Sequence, residues 1–182
     1  FLGEEILKYA KKLKVICTAS TGTDHIDINY LDNSNIKLIS ITSDYEVINK
    51  ITSTAEHAFA LTMVGIRNII LACNAVKKKE WDYTNFIGRQ LSEMSVGIIG
   101  YGRLGKLYAN YCLAFGARVN VYDPNVVIND KDLNQINSLE KIYIDSDIIS
   151  LHIHLNPITN KIINEAALLK MKKDVVLVNT SR

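Results

Sequence analysis

One stretch constrains the fold more than any other. Ser95 to Asp123, SVGIIGYGRLGKLYANYCLAFGARVNVYD, runs from an apolar strand through a glycine-rich turn and an amphipathic helix into a second apolar strand ending on an aspartate. Gly100, Gly102 and Gly105 form G-x-G-x-x-G: the first glycine makes the tight turn, the second lets backbone approach a pyrophosphate, the third lets helix pack on strand. Leu104, Leu107, Tyr108, Tyr111 and Phe115 recur at helical spacing, Gly116 suits a left-handed cap, and Val119 to Tyr122 read as the next strand. A lone G-x-G-x-x-G is a weak signal. Here strand, helix, second strand and acid fall at the required spacing, and together they describe a dinucleotide-binding unit. Asp123, about 20 residues beyond the glycines, is placed to accept hydrogen bonds from the adenosine ribose and to repel a 2′-phosphate. Pro124 and Asn125 follow it rather than an arginine, so the expected cofactor is NAD, not NADP. The plainer alternative is a strand-end aspartate opening a turn before Pro124.

The 182 residues are 48% hydrophobic and 22% charged, enough to bury a sizeable core. A net charge of +2 with both signs interspersed gives no broad footprint for nucleic acid or an anionic membrane. Lys77 to Lys79 and Lys170 to Lys173 fall where helices should end, and both runs read as solvated faces offsetting the helix dipole. Cys17, Cys73 and Cys112 are odd in number and sit in apolar surroundings, the pattern of buried free thiols in a reducing compartment. No signal peptide is visible, and Arg67, Asn68 and Asn74 interrupt the apolar run Ala58 to Val76, so the expected location is the cytoplasm. The chain starts at Phe1 and stops at Arg182, with no initiating methionine and no helix closing its last strand, and reads as part of a larger protein.

Leu13 to Thr18 and Ile36 to Ile41 are apolar runs suited to parallel strands, separated by the loop and short helix TGTDHIDINYLDNSN. A single long helix is expected over ITSTAEHAFALTMVGIRNIILACNAVKKK, opened by a capping box of Ser53 and Glu56. It is apolar around most of its circumference and must be covered on several sides, as at a domain junction or subunit interface. An irregular connector around Trp81 leads into the fingerprint. Beyond Asp123 the pattern gives a helix near Ser138 to Tyr143, a third strand over Asp147 to Ile153, a helix near Asn164 to Met171 and a fourth strand over Val175 to Asn179. Alternation at these lengths implies right-handed crossovers in a parallel sheet, an α/β fold with ligand residues just past the strand ends.

In order and spacing, TGTDHID, STAEHAFAL, GIIGYGRLG, VYDP, LHIHLNPITNKIIN and MKKDVVLVNTSR resemble the D-isomer-specific 2-hydroxyacid dehydrogenases over nearly the whole chain, with the phosphoglycerate dehydrogenase and glycerate/hydroxypyruvate branches nearest. The resemblance implies a Rossmann-type nucleotide domain inserted within a flavodoxin-like substrate domain, and a homodimer formed through the long helix of the nucleotide domain. Residues 1–49 would be the end of the first segment of the substrate domain, and residues 50–182 the NAD-binding domain, cut after its fourth strand.

The resemblance also assigns roles. The loop Ser20, Thr21 and Gly22 would hold the substrate carboxylate through backbone amides. Arg182 matches the family arginine that pairs with that carboxylate and polarises the carbonyl receiving hydride, work suited to a planar fork that stays charged. Ser53 matches a serine near the nicotinamide end. Arg103 and Leu104 would offer amides to the pyrophosphate, Thr180 and Ser181 would line the nicotinamide side, and His152 would frame the adenine side. His152 and His154 alternate on a strand and could in principle hold a metal, but no third ligand is placed nearby, and none is expected. His154 stands where the family usually has proline. Asp174 replaces the usual glycine before the last strand, which predicts a left-handed turn there. His25 and His57 read as structural.

The implied reaction is hydride transfer between nicotinamide and C2 of a D-2-hydroxyacid or 2-oxoacid. The family's acid–base histidine and its paired glutamate lie beyond the motif that ends in Arg182, and none of the four histidines present takes that place. A fragment that binds dinucleotide without turning over is therefore expected. The alternative is a non-catalytic, dinucleotide-sensing regulatory module of the same fold.

Overall fold

The computed structural model describes residues 1–181. In chain order the regular elements are α1 (Glu4–Leu7), β1 (Val15–Thr18), α2 (Ile28–Ser34), β2 (Lys37–Ser40), α3 (Tyr45–Ile48), α4 (Ser53–Ile66), α5 (Ile69–Lys77), β3 (Ser95–Ile99), α6 (Arg103–Ala114), β4 (Arg118–Tyr122), β5 (Leu133–Gln135), α7 (Leu139–Asp145), β6 (Ile148–Leu151), α8 (Glu165–Lys170) and β7 (Val176–Asn179). They fall into two compact units, Phe1–Ile51 and Thr52–Arg182.

In the first unit, β1 and β2 pair in parallel from Val15 opposite Lys37 to Thr18 opposite Ser40. Helix α2 links them. It is capped by Asp27, whose carboxylate accepts the Tyr30 amide at 3.0 Å, and it ends on Asn35 in the left-handed region. Leu7, Ile26, Leu31 and Ile36 form the core of this unit.

The second unit is a five-stranded parallel sheet in the order β5-β4-β3-β6-β7. Chain order runs outward from β3 in one direction and outward from β6 in the other, so the topological switch point lies between these two strands. Both are buried along their whole length. Alternation along β3 explains why: Val96 and Ile98 pack with α4 and α6, while Ile99 belongs to the opposite cluster with Ile142, Tyr143 and Ala167 of α7 and α8. The result is three layers.

Several expectations change. The strand β5 is new; its three residues, Leu-Asn-Gln, carry too little apolar pattern to be recognised alone, and β7 is therefore the fifth strand of this sheet. The expected long helix is two helices, bent by 64° between Ile66 and Ile69. Asn68 adopts φ 52°, a conformation asparagine tolerates, and the Ile66 carbonyl accepts the Arg89 amide of the returning connector at 2.9 Å. The N-cap position of α4 is Thr52, not Ser53, and its side chain accepts no helix amide; the Thr52 hydroxyl donates to Glu56 Oε1 at 2.5 Å instead. On α6 the buried stripe is Gly105, Tyr108, Ala109 and Cys112, while Phe115 is 53% exposed. Gly116 does take the left-handed cap, at φ 79°. Cys112 is buried as expected, but Cys17 and Cys73 are exposed. Both sit on elements with one open face, which an apolar neighbourhood in sequence does not reveal. No single helix among the described residues is long and apolar enough to cross a membrane.

Asp174 does not adopt a positive φ. Its carboxylate instead receives Arg89 at 3.0 Å. Lys172, expected on a solvated face, reaches Asp147 at 2.9 Å, and Asp147 also receives Arg89 at 3.0 Å and the Ser95 amide at 2.8 Å. One carboxylate thus ties the starts of β3 and β6 to the connector and to the segment entering β7. Burial raises its pKa, but the amide and the two cations outweigh that and hold it below the usual carboxylate value.

Candidate functional site

The glycine turn sits at the carboxyl end of β3, beside the switch point, and its three glycines answer to different constraints. Gly100 has φ 95°, donates its amide to Tyr122 O at 2.9 Å, and lies so close to β6 that a Cβ would stand 2.5 Å from the His152 carbonyl oxygen. A Cβ on Gly105 would strike the Gly100 carbonyl oxygen. Internal packing therefore demands both residues. Gly102 differs: its backbone is extended (φ −73°, ψ −163°) and nothing lies within 4 Å of where a Cβ would be. The fold does not require glycine there. Gly102 is also the N-cap of the 12-residue α6, so the amides of Arg103 and Leu104 begin a helix whose positive end suits a pyrophosphate.

Asp123 follows β4. Its Oδ2 accepts the Tyr101 amide at 2.8 Å and its Oδ1 accepts the Asn125 amide at 2.9 Å. These bonds fix the carboxylate, and each oxygen keeps acceptor capacity for a ribose hydroxyl. Asp123 lines an open cavity of about 260 Å³ together with Pro124 to Val127 and Gln135 to Asn137. Gln135 braces the loop, accepting the Ile128 amide at 3.0 Å and donating to Val126 O at 2.7 Å. With β5 unrecognised in the sequence, this wall was missed. The residues present fit an adenosine diphosphate: a pocket with a fixed carboxylate, then an open turn at a helix N-terminus.

The other site residues group by strand end. His152 lies one residue past β6, not within it. Its ring turns inward against Tyr108, with centroids 4.9 Å apart, and Nε2 is 2.9 Å from Ser150 Oγ. Burial pushes its pKa down to about 4, so the imidazole is neutral. His154 is exposed. Thr180 and Ser181 follow β7; Ser181 donates its hydroxyl to Leu151 O at 2.9 Å, joining the ends of β6 and β7. Ser53 opens α4 and is exposed. In the first unit, Ser20 follows β1 and donates its hydroxyl to Gly22 O at 2.6 Å, while Thr42 donates to Thr21 O at 3.2 Å; these bonds shape the Ser20 to Gly22 turn. Arg182 lies outside the described residues.

Residues 59–182 match the family description "D-isomer specific 2-hydroxyacid dehydrogenase, NAD binding domain". The chain belongs to the D-isomer-specific 2-hydroxyacid dehydrogenase family. It is 33% identical to hydroxypyruvate reductase of Thermotoga maritima over 178 residues, covering 98% of this chain and 56% of that protein. It is also 33% identical to D-3-phosphoglycerate dehydrogenase of Mycobacterium tuberculosis over 180 residues, covering 98% of this chain and 33% of that protein. Among solved structures, D-lactate dehydrogenase from Aquifex aeolicus complexed with NAD and lactic acid superposes with a TM-score of 0.85 at 34% identity, over 100% of this chain and 54% of that one. The chain thus spans between a third and about half the length of these relatives. The unit built on β3 to β7 is the family's NAD-binding domain.

Proposed function

We propose that this chain is the NAD-binding core of a dehydrogenase that moves hydride between nicotinamide and C2 of a D-2-hydroxyacid or 2-oxoacid, most like D-3-phosphoglycerate dehydrogenase. The carrying observation is Gly102, a glycine with open space where its Cβ would be, directly ahead of α6 and next to a fixed Asp123. When bound, the nicotinamide supplies the hydride chemistry, and this chain's residues bind and orient. Asp123 holds the ribose, the amides of Arg103 and Leu104 hold the pyrophosphate, and Ser53, Thr180 and Ser181 line the nicotinamide end. Residues 1–49 belong to the substrate domain, where the backbone amides of Ser20 to Gly22 take the substrate carboxylate. Arg182 pairs with the same carboxylate. None of the four histidines stands where the family's acid–base histidine does, so these 182 residues alone bind dinucleotide without turning over.

The intact enzyme is a homodimer that uses the nucleotide domain. This rests on the apolar side chains α5 leaves open, with Ile70, Leu71 and Val76 each about 60% exposed. Sedimentation of the chain at rising concentration tests the dimer: a single monomeric species throughout would reject it. For the cofactor and reaction, NADH and NADPH titrations of this chain are paired with an assay using NAD and D-3-phosphoglycerate. Tight NADH binding, weak NADPH binding and no turnover are expected. Turnover by these residues alone, or equal affinity for the two cofactors, would overturn the reading.

A further inference from the structure

Beneath the glycine turn lies a buried cluster of hydroxyl groups that the cofactor site as described does not use. Thr62 of α4 is fully buried and donates its hydroxyl to the Ala58 carbonyl at 3.0 Å. Its oxygen lies 2.6 Å from the hydroxyl of Tyr108, also fully buried on α6. The Tyr108 ring packs on the imidazole of His152 with centroids 4.9 Å apart, and Ser150 of β6, fully buried as well, brings its Oγ to 2.9 Å from His152 Nε2.

Each hydroxyl has one proton to give, and that fixes a direction. The Thr62 proton goes to the Ala58 carbonyl, so Tyr108 donates to Thr62. The Tyr108 ring lies against the imidazole, and Ser150 Oγ and His152 Nε2 share the second hydrogen bond. His152 in turn underlies the glycine turn. The His152 carbonyl faces the Cα of Gly100, and its Cβ would lie 3.5 Å from a Cβ on Gly105. Burying four polar groups beside a sheet is costly unless every one is satisfied. Phenylalanine at 108 and valine at 62 would have filled nearly the same space.

We propose that Tyr108, Thr62 and Ser150 are positioning residues for the dinucleotide turn: they hold the His152 ring and through it fix the height of Gly100 and Gly105 against the pyrophosphate. None of the three touches the cofactor. The inference rests on the cofactor site proposed above and names what sets its geometry.

The test uses the whole chain, with variants that separate packing from hydrogen bonding. Thr62→Val keeps the volume and removes the hydroxyl; Thr62→Ser keeps the hydroxyl and removes a methyl. Tyr108→Phe removes the donor to Thr62. Thr62→Val and Tyr108→Phe should weaken NADH about three- to thirty-fold, whereas Thr62→Ser should bind as wild type even where its melting temperature falls. Adenosine alone, which reaches Asp123 but carries no pyrophosphate, should lose nothing in either variant by chemical-shift titration. In protein labelled with ¹⁵N-histidine and no ligand present, the His152 signals should keep their wild-type positions in Thr62→Ser and shift in Tyr108→Phe. NADH affinity that follows melting temperature instead of the hydroxyl would overturn the proposal, as would equal losses for adenosine and NADH. Wild-type chain that binds adenosine but not NADH would instead overturn the cofactor site itself.

Discussion

Replacing single glycines of the turn with alanine separates what the fold needs from what the ligand needs. In Gly105→Ala the new methyl lands on the Gly100 carbonyl oxygen, backbone against backbone, so α6 must lift from the end of β3. Overpacking of this kind costs about 1–3 kcal/mol, against a helix-propensity gain for alanine of up to about 1 kcal/mol. A net loss near 2 kcal/mol, at about 2–4 °C per kcal/mol for a chain of this size, lowers the melting temperature by about 4–8 °C. In Gly102→Ala the methyl enters open space, on a backbone any residue adopts, and the only internal cost is a poorer N-cap, at most about 1 kcal/mol. Its melting temperature should stay within about 4 °C of wild type. Its affinity for NADH should fall at least about tenfold, because that space is where the pyrophosphate must come, and each tenfold is about 1.4 kcal/mol. Differential scanning fluorimetry and NADH fluorescence titration on the same preparations give both numbers. Wild-type NADH affinity in Gly102→Ala, or an unchanged melting temperature in Gly105→Ala, would refute the division of roles.

Asp147→Asn should destabilise the chain by about 2 kcal/mol in urea unfolding, because it leaves Arg89 and Lys172 facing a neutral amide, and their partial exposure keeps the loss below that of a fully buried pair. The pH dependence of stability should carry a His152 contribution of a definite sign. The folded pKa, about 4, lies below the unfolded value of 6.5, so the folded protein binds fewer protons in that window. Stability is then full above pH 6.5 and falls as pH drops towards 4, by up to about 3 kcal/mol; His152→Gln should flatten that slope in urea titrations, and an unchanged slope would show another group is responsible. Asp123→Ser should narrow the preference for NADH over NADPH by at least about tenfold, since a carboxylate beside a 2′-phosphate is removed; a ratio of affinities that does not move would place the ribose elsewhere.

How much of this was legible depended on how local the cause was. The segment from β3 to β4 could be read directly, because glycine spacing, strand pattern and terminal acid all act within about 30 residues. The breaks in the reading share a different origin. Asn68 turns the chain because Arg89, far along the sequence, takes the carbonyl of Ile66. Strand β5 exists because β4 offers it an edge, not because Leu-Asn-Gln favours extension. Asp174 escaped its expected left-handed turn, and Lys172 its expected solvated face, because Arg89 and Asp147 converge there from other elements.

By itself, then, the sequence determined the parallel α/β class, the glycine turn and the carboxylate that closes β4, since each follows from residue types at short, fixed spacing. Tertiary structure alone decided which glycine is free of the fold, where β6 lies relative to the turn, and that the Thr62–Tyr108 pair meets the Ser150–His152 pair. Those facts depend on helices and strands meeting across three layers. Hydrogen-bond direction and the room for a single methyl exist only after the layers have packed.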